Sequence, residues 1–586
     1  MTKTYLRTIC LTLLLFVSAA TTFTFAQVPD PGTPGPLPVT REEYDFGDTA
    51  FSPTNFPGPV ELRASLHYPT NLPGAPLPVI VLLHGRHATC FKSGSGLGGA
   101  FLEWPCTTNG TQPIPSYKGY DYLSGVLASH GYVVISISAN GVNAVDNAVF
   151  DLGALARAEL IQQHLSILNT FNTTGSVPFG TKFVGKFDLT RVGTMGHSRG
   201  GEGVVRHYLL NNSLGAPYGI KAVFPLAPVD FSRFVVNNAA LSVLLPYCDG
   251  DVADLQGVHF YDDARYNVPG DLAPKHYVLV MGANHNFYNT VWSPSSGLPQ
   301  SVDDWLLFVK SGHSDSHCGS VGGNQRLTEA QQRGTGLAYM SAFFRTYVGG
   351  EKQFIPILTG DAPPPASAQT TDLFVSYHAP DTPALRLDVN RLLDAANLTT
   401  NNLGAAVTQT GLTPYDLCGG EAPQPLTCLP NAGNAQQPHT APSARSAARG
   451  LSQLRTGWNN FTGNYRNNLP AGLGNVSGFQ AVQFRVSVNF SDLRNLEDLA
   501  QDFRVRLTDA SGASASVRVS DVSRALFFPP GKVFPVPKVV LNTVRVPLSA
   551  FGGVNLNNVR SVQFTFDERL QGAVLISDVA FASAPN

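Results

Sequence analysis

Charged side chains are scarce in this sequence. Asp, Glu, Lys and Arg together make up 14% of its 586 residues, whereas an average soluble domain has about 25%. The formal net charge is −2, so no overall field attracts the chain to nucleic acids or to acidic membranes. The composition therefore argues against functions that depend on a strongly basic surface, and we expect no nucleic-acid partner.

Long apolar runs are also missing, apart from one near the N-terminus. Lys3 and Arg7 precede an apolar stretch from Cys10 to Ala20, and Thr24-Phe25-Ala26 then offers small residues where signal peptides are cleaved. This pattern predicts a secretory signal peptide over residues 1–26. A membrane anchor is the alternative, but the run is short for a span of about 20 residues. We expect a secreted protein, extracellular or periplasmic, without stable membrane insertion.

Cysteine is infrequent, with seven residues, of which Cys10 lies in the predicted signal peptide. The other six form an even number, which favours disulfides in a secreted protein. Several pairings are open, and two buried free thiols are the alternative for each. Proximity in the sequence favours two pairs and leaves a third, so that the expected disulfides are Cys90–Cys106, Cys418–Cys428 and Cys248–Cys318.

The length of the chain indicates two or more domains, and the pattern changes along it. A Pro/Gly-rich leader is expected over residues 27–57. Over residues 58–350, apolar strand-like runs alternate with helical periodicity, which predicts an α/β fold with a doubly wound, mostly parallel sheet. A Pro/Ala-rich linker is expected over 351–370. Residues 371–586 contain short runs with a period of two, which predicts an all-β sandwich.

One short motif points to chemistry. Gly196, Ser198 and Gly200 form Gly-x-Ser-x-Gly, directly after the apolar run Arg191–Met195 and directly before a helical segment. A serine on a tight strand-to-helix turn needs neighbours without side chains, and the helix N-terminus favours developing negative charge there. This context predicts Ser198 as a nucleophile. The alternative is an ordinary capping serine in a glycine-rich packing turn.

A serine hydroxyl is a weak nucleophile unless a base takes its proton. In folds with this turn the chain order is serine, acid, histidine. His285 follows a late strand-like run, His276–Met281, and is therefore the predicted base. A loop histidine whose hydrogen bonds are satisfied is the alternative.

The acid that orients the base is expected just past the run Leu241–Tyr247. Its usual place, a few residues beyond the strand, favours Asp251, with Asp254 as the alternative acid. Asp249 is a third candidate, and Asp230 is another because some hydrolases carry the acid after an earlier strand. The three clustered aspartates also suit a cation site, but the glutamate of a full calcium loop is absent, so no metal is predicted.

Two backbone N–H groups are needed to stabilise the oxyanion of a tetrahedral intermediate. Arg199, directly after the nucleophile, is expected to supply one of them. The turn His84-Gly85-Arg86-His87 follows an apolar run and is expected to supply the other, from Arg86.

Three motifs resemble the α/β-hydrolase superfamily, namely His84-Gly85, Gly196-His197-Ser198-Arg199-Gly200-Gly201 and Gly282-Ala283-Asn284-His285. Over about residues 58–350 the chain is similar to secreted bacterial lipases, cutinases and polyester hydrolases. The resemblance implies hydrolysis of an ester, polymeric or insoluble in some cases, through an acyl-enzyme and without a cofactor. Insertions around Trp104 and over Ser293–Arg326 depart from the small cutinase pattern, which leaves the size of the substrate open.

The end of the chain carries a second resemblance. Gly572–Val579 is similar to the last strand of galactose-binding-like jelly rolls in carbohydrate-binding modules. This likeness implies a polysaccharide or surface ligand for residues 371–586, although no ligand residues stand out.

Ring side chains near the motifs are candidates for the substrate pocket, with core packing as the alternative for each. They are His87, Phe101, Trp104, His197, Phe287, Tyr288 and Trp292. The tract His313–Cys318 has metal-binding composition, but no second ligand cluster pairs with it, so we expect a disulfide-anchored loop.

The sequence thus predicts a secreted serine hydrolase of carboxylic esters. An exopeptidase or amidase with the same triad is one alternative, because the same chemistry cleaves amides. A surface-binding protein whose hydrolase region has lost activity is the other.

Overall fold

The structure is a computed structural model that describes residues 28–96, 100–308, 318–319, 325–370, 372–420, 427–429, 439, 452–497, 499–527 and 538–585. The predicted signal peptide and most of the tract His313–Cys318 lie outside these residues. Within the described ranges, no helix combines the length and the apolar character needed to cross a bilayer.

The first part of the chain, here called the α/β unit, extends from residue 28 to residue 378. Its strands are β1 (Val39–Asp45), β2 (Arg63–Pro69), β3 (Leu77–Leu83), β4 (Cys90–Lys92), β5 (Ala100–Phe101), β6 (Thr111–Pro113), β7 (Val133–Ile137), β8 (Phe187–His197), β9 (Ile220–Leu226), β10 (Ala240–Pro246), β11 (Lys275–Val280) and β12 (Leu373–His378). Its helices are α1 (Asp121–Ser129), α2 (Asn140–Val145), α3 (Ala154–Thr173), α4 (Arg199–Ser213), α5 (Val258–Ala264), α6 (Asp304–Phe308), α7 (Glu329–Tyr347) and α8 (Ile355–Thr359).

Nine of these strands form one sheet, in the order β1-β2-β7-β3-β8-β9-β10-β11-β12. The strands from β7 to β11 pair in parallel, and antiparallel strands lie at both edges. Alternate side chains of β3 enter different cores: Val79 and Val81 pack on the face that includes α3 to α5, and Ile80 and Leu82 on the face of α1, α7 and α8. Helices thus cover both faces, as a parallel sheet requires.

Both predicted boundaries of the α/β unit differ from the structure. β1 lies inside the segment expected to be an extended leader, and its seven residues pair with β2. β12 lies beyond the expected linker, and it pairs with β11 from Lys275 to Val280. The linker itself includes α8. Proline and glycine content indicated loops here, but it does not reveal where a partner strand offers an open edge.

The remaining chain, residues 386–585, is here called the β-rich region. Its strands are β13 (Arg386–Asn390), β14 (Val407–Thr410), β15 (Tyr415–Cys418), β16 (Gln453–Trp458), β17 (Gly463–Asn468), β18 (Ala481–Val488), β19 (Arg504–Asp509), β20 (Ser514–Arg518), β21 (Asn542–Pro547), β22 (Val559–Phe566) and β23 (Gly572–Ala582). They form two antiparallel sheets, β15-β16-β23-β18-β21, with β13 beside β23, and β14-β17-β22-β19-β20. Side chains from both sheets share one core, where the rings of Phe484 and Phe564 lie 4.7 Å apart.

The two parts of the chain share a buried, charged interface. Arg485 Nη1 of the β-rich region lies 2.9 Å from Asp262 Oδ1 of the α/β unit. Asp578 forms an ion pair with Arg265 across the same interface. The side chains of all four residues are at most 5% exposed. The interface therefore excludes water from charges that both parts supply.

Candidate active site

Ser198 occupies the sharp turn that the glycine motif predicts. β8 ends at His197, α4 begins at Arg199, and Ser198 between them has φ 58° and ψ −125°. A positive φ is costly for a residue with a side chain, so surrounding contacts must hold it. The Ser198 N–H donates to Leu226 O at 2.9 Å, and the Gly201 N–H donates to Ser198 O at 2.8 Å.

The glycines around this turn are there because the backbone packs too closely for side chains. A Cβ on Gly196 would lie 1.9 Å from Gly200 O, and one on Gly85 would lie 2.4 Å from His197 O. Such distances are impossible without backbone movement. The turn after β3 therefore lies directly against the Ser198 turn.

His285 follows β11 and is buried beside a carboxylate. Its Nδ1 lies 2.8 Å from Oδ2 of Asp249. Its Nε2 is buried and has no hydrogen-bond partner among the residues that the structure describes. Burial alone lowers the pKa of His285, but the negative charge of Asp249, with those of Asp251 and Asp304, raises it to about 9.

The partner of His285 is therefore Asp249, and the sequence-based choice of Asp251 is corrected. Asp249 Oδ1 accepts hydrogen bonds from the N–H groups of Asp251 at 2.9 Å and Val252 at 2.6 Å. This turn directs Asp251 outward: its side chain is 55% exposed, and its Oδ2 lies 3.6 Å from His285 Nε2.

Asp254 and Asp230, the other two aspartates considered as the acid, make contacts with residues other than His285. Asp254 Oδ1 accepts a hydrogen bond from the N–H of Gln256 on the exposed surface. Asp230 lies beside Arg233 and His259. Among the described residues, no group of three or more His, Cys, Asp or Glu side chains is arranged to hold a metal ion.

Asp304 was not identified from the sequence, although it supports the same loop. Its Oδ2 accepts from the N–H groups of His285 at 3.0 Å and Gly250 at 2.8 Å. Burial, together with the nearby charge of Asp249, raises the pKa of Asp304 to about 7. Asp304 begins α6, far along the chain, and no local pattern marks it.

The predicted pocket residues fall into two groups. His87 lines an open cleft of about 340 Å³ with Arg86, Asp251 and two exposed side chains, Phe101 and Leu102. His197 lies behind this cleft, fully buried, with its ring centroid 4.8 Å from that of His285. His197 directly precedes Ser198 in the chain, and Arg86 directly follows Gly85, which packs against the Ser198 turn.

Trp104 and Phe287 are not among the residues that line this cleft, and their place in a substrate pocket stays a prediction. Trp104 donates from Nε1 to Asp48 O at 2.8 Å on the side of β1. Phe287 is buried in the loop after His285. Trp292, another of the predicted pocket residues, stacks on His87 with ring centroids 5.0 Å apart, and its ring lies 4.7 Å from that of His197.

The structure contains the three expected disulfides, Cys90–Cys106, Cys248–Cys318 and Cys418–Cys428. The second bond is directly adjacent to Asp249 in the chain. A covalent crosslink thus restrains the loop that carries the partner of His285.

Comparison with known proteins places this site in a family context. Residues 83–302 match the family model described as PETase, PET hydrolase-like. Cutinase 1 of Thermobifida cellulosilytica and the cutinase of Thermobifida fusca are each 27% identical to the chain over 201 residues. The match covers 33% of this chain, 67% of the first cutinase and 58%, less than two thirds, of the second. The predicted resemblance to cutinase-like α/β-hydrolases is thus confirmed over residues 83–302.

Proposed function

We propose that this protein is a serine hydrolase that cleaves carboxylic esters through an acyl-enzyme, with Ser198, His285 and Asp249 as its triad. The contact of His285 Nδ1 with Asp249 Oδ2 carries the proposal, because it leaves Nε2 as the ring nitrogen that can accept a proton. The similarity to two cutinases supports an ester hydrolase at the level of the family.

The reaction begins when Ser198 Oγ attacks the ester carbonyl carbon while His285 Nε2 takes the hydroxyl proton. The carbonyl electron pair moves to the oxygen, where the N–H groups of Arg86 and Arg199 stabilise it. The intermediate then collapses, the carbon–oxygen bond to the alcohol breaks, and the leaving oxygen receives the proton from His285. Water repeats these steps on the acyl-enzyme and releases the acid and Ser198.

The electrostatics of the loop suit this role for His285. A positive imidazolium forms in each step, and Asp249 lies 2.8 Å from it. The raised pKa of His285 shows that the surrounding carboxylates favour this charged form. Asp249 also fixes the ring orientation, since its second oxygen is held by two backbone N–H groups.

The open cleft favours a large or insoluble ester as substrate. Phe101 and Leu102 line it and are 42% and 46% exposed, an arrangement suited to an apolar surface. The disulfides favour an oxidising compartment, which agrees with the predicted export. A polysaccharide or surface ligand of the β-rich region stays a prediction.

Three variants test the triad on a p-nitrophenyl ester. Ser198→Ala should abolish turnover and labelling by a fluorophosphonate, with an unchanged melting curve. Asp249→Asn should lower kcat by about 10⁴-fold, because the imidazole loses its orienting carboxylate. Asp251→Asn is the matched control and should change kcat by less than about tenfold. Retained activity in Ser198→Ala would refute the proposal, and equal losses in both aspartate variants would refute the assignment of the acid.

A further inference from the structure

Three guanidinium groups meet one buried carboxylate, that of Asp146, beside the Ser198 turn. Arg86 Nε donates to Asp146 Oδ1 at 3.0 Å. Arg199 Nη1 and Arg157 Nη2 lie 2.9 Å and 2.8 Å from Asp146 Oδ2. The side chains of Asp146 and Arg157 are completely buried. Asp146 therefore joins the side chains of the two residues whose backbone N–H groups are the proposed oxyanion donors.

A second side chain from the same segment holds the backbone of one donor. Asn143 Nδ2 donates to Gly85 O at 2.8 Å. Gly85 O and the Arg86 N–H belong to one peptide unit, which is planar, so the direction of the carbonyl sets the opposite direction of the N–H. Asn143 Oδ1 in turn accepts from Arg157 Nη2 at 2.7 Å. Asn143 and Asp146 are thus connected through Arg157.

Stability alone is a poor explanation for this arrangement. Burying several charges costs free energy, and well-packed apolar residues often stabilise a core equally well. The charges provide hydrogen bonds of fixed geometry. Through them, three guanidinium groups hold the turn after β3 and the first residue of α4 against one carboxylate. Displacement of a reacting group by about 1 Å can cost about 100-fold in rate.

We propose that Asn143 and Asp146 are positioning residues for the oxyanion hole. Asn143 orients the peptide unit between Gly85 and Arg86, and Asp146 locks Arg86 and Arg199 together. Neither residue contacts the reacting atoms. The inference rests on the proposed function, because it assumes that the Arg86 and Arg199 amides bind an oxyanion.

Asn143→Ala is the decisive variant, because it removes the amide contact with Gly85 O, where, among the described residues, only His84 Nδ1 at 2.9 Å is left, and keeps the pair of Asp146 and Arg157. We expect kcat for a p-nitrophenyl ester to fall about 10- to 100-fold, with KM within about threefold. A trifluoromethyl ketone, whose adduct with Ser198 carries an oxyanion, should bind more weakly by the same factor as kcat/KM. Asp146→Asn should act in the same direction.

Asn211→Ala is the matched control. Asn211 is also a buried asparagine, and its Nδ2 donates to a loop carbonyl, Tyr218 O, at 2.9 Å, but at the far end of α4. It should lower the melting temperature about as much as Asn143→Ala and leave kcat within twofold. A positioning role predicts different kcat values for the two variants, whereas a merely structural role predicts equal ones.

Asp146→Asn leaves Arg157 buried without its carboxylate and is informative only if it folds, whereas Asn143→Ala decides in either case. If Asn143→Ala keeps kcat within twofold of wild type, or if Asn211→Ala loses as much activity, the inference is overturned. Ser198→Ala separates this result from the wider proposal. If Ser198→Ala abolishes turnover while Asn143→Ala leaves turnover unchanged, only the positioning role fails and the proposed function stands.

Discussion

The α/β unit and the β-rich region place their buried charges differently. In the α/β unit, buried carboxylates such as Asp146, Asp249 and Asp304 gather around Ser198 and His285. In the β-rich region, buried charges such as Arg485 and Asp578 lie at the contact with the α/β unit. A module tethered by a flexible linker has no need of such contacts. The difference indicates that the β-rich region is an integral part of the folded protein.

Asp262 is the centre of this interface. Its carboxylate lies 2.9 Å from Arg485 Nη1 and 2.6 Å from His439 Nδ1. Burial would raise the pKa of Asp262, but His439, Arg485 and Arg265 together hold it far below the ordinary value. The charged form of this carboxylate therefore stabilises the folded chain.

The β-rich region also reaches the strand that leads to Asp249. Lys538 Nζ donates to Tyr247 O at 2.6 Å, and the Lys538 N–H donates to Tyr247 Oη at 3.0 Å. Cys248 and Asp249 follow Tyr247 directly. The interface is thus two residues along the chain from the partner of His285, which connects the integrity of the β-rich region with the site.

The largest expected effect comes from ending the chain at residue 370, which removes β12 together with the β-rich region. A chain of residues 28–370 lacks β12, which leaves β11 with unpaired backbone groups on a buried edge. We expect it to be insoluble or unfolded by circular dichroism. A chain of residues 28–382 keeps β12 but exposes Asp262 and Tyr277, so it should melt well below the full chain. If residues 28–370 fold and hydrolyse esters as the full chain does, the β-rich region is a separate module.

A smaller effect is expected from a single charge at the interface. Asp262→Asn leaves Arg485 and Arg265 buried with less compensation, which should cost about 3–5 kcal/mol of unfolding free energy. Asp416→Asn is the matched control: Asp416 pairs with Arg455 at 2.7 Å in the same sheet as Arg485, but is 37% exposed. It should cost at most about 1 kcal/mol. Equal costs, measured by urea denaturation, would contradict an energetically distinct interface.

Local patterns predicted the elements around Ser198 well. The apolar runs Leu241–Tyr247 and His276–Met281 coincide with β10 and β11 to within one residue at each end, and the motif at Ser198 lies between a strand and a helix as expected. The catalytic roles of Ser198 and His285 stay predictions. The strands and the turn at Ser198 were predictable because each is formed by a short stretch in which a few residues determine the backbone path.

Long-range contacts account for what the sequence did not predict. Spacing after β10 favoured Asp251, but Gly250 packs against Asp304 O and Asp249 accepts two backbone hydrogen bonds, which turns Asp251 toward solvent. Asp304 lies more than fifty residues from Asp249 along the chain, so no local pattern connects them. The charged interface escaped prediction for the same reason, because Asp262 and Arg485 meet only in the folded chain.

The smallest effects expected are two pH dependences, that of activity at the site of the α/β unit and that of stability at the interface with the β-rich region. His285 accepts a proton only when neutral, and its pKa is raised to about 9, so kcat/KM should increase between about pH 7 and pH 9. Asp249→Asn removes the main cause of the raised His285 pKa. In this variant, the rising part of the kcat/KM profile should move toward the ordinary histidine pKa of about 6.5. A limb that stays near pH 9 in this variant would contradict the contact as the cause.

The stability that Asp262 contributes at the interface should be lost in acid, whereas the stability that His285 contributes at the site should be lost in alkali. Because the folded pKa of Asp262 is depressed, its contribution is present above the ordinary pKa of about 3.9 and is lost as the pH falls below it. The raised pKa of His285 gives stability that is full below about 6.5 and lost as the pH rises through about 9. Melting curves of wild type and Asp262→Asn should therefore converge in acid and diverge at neutral pH, whereas those of wild type and Asp249→Asn should converge in alkali. Parallel shifts of both variants across the whole range would show that neither titration controls stability.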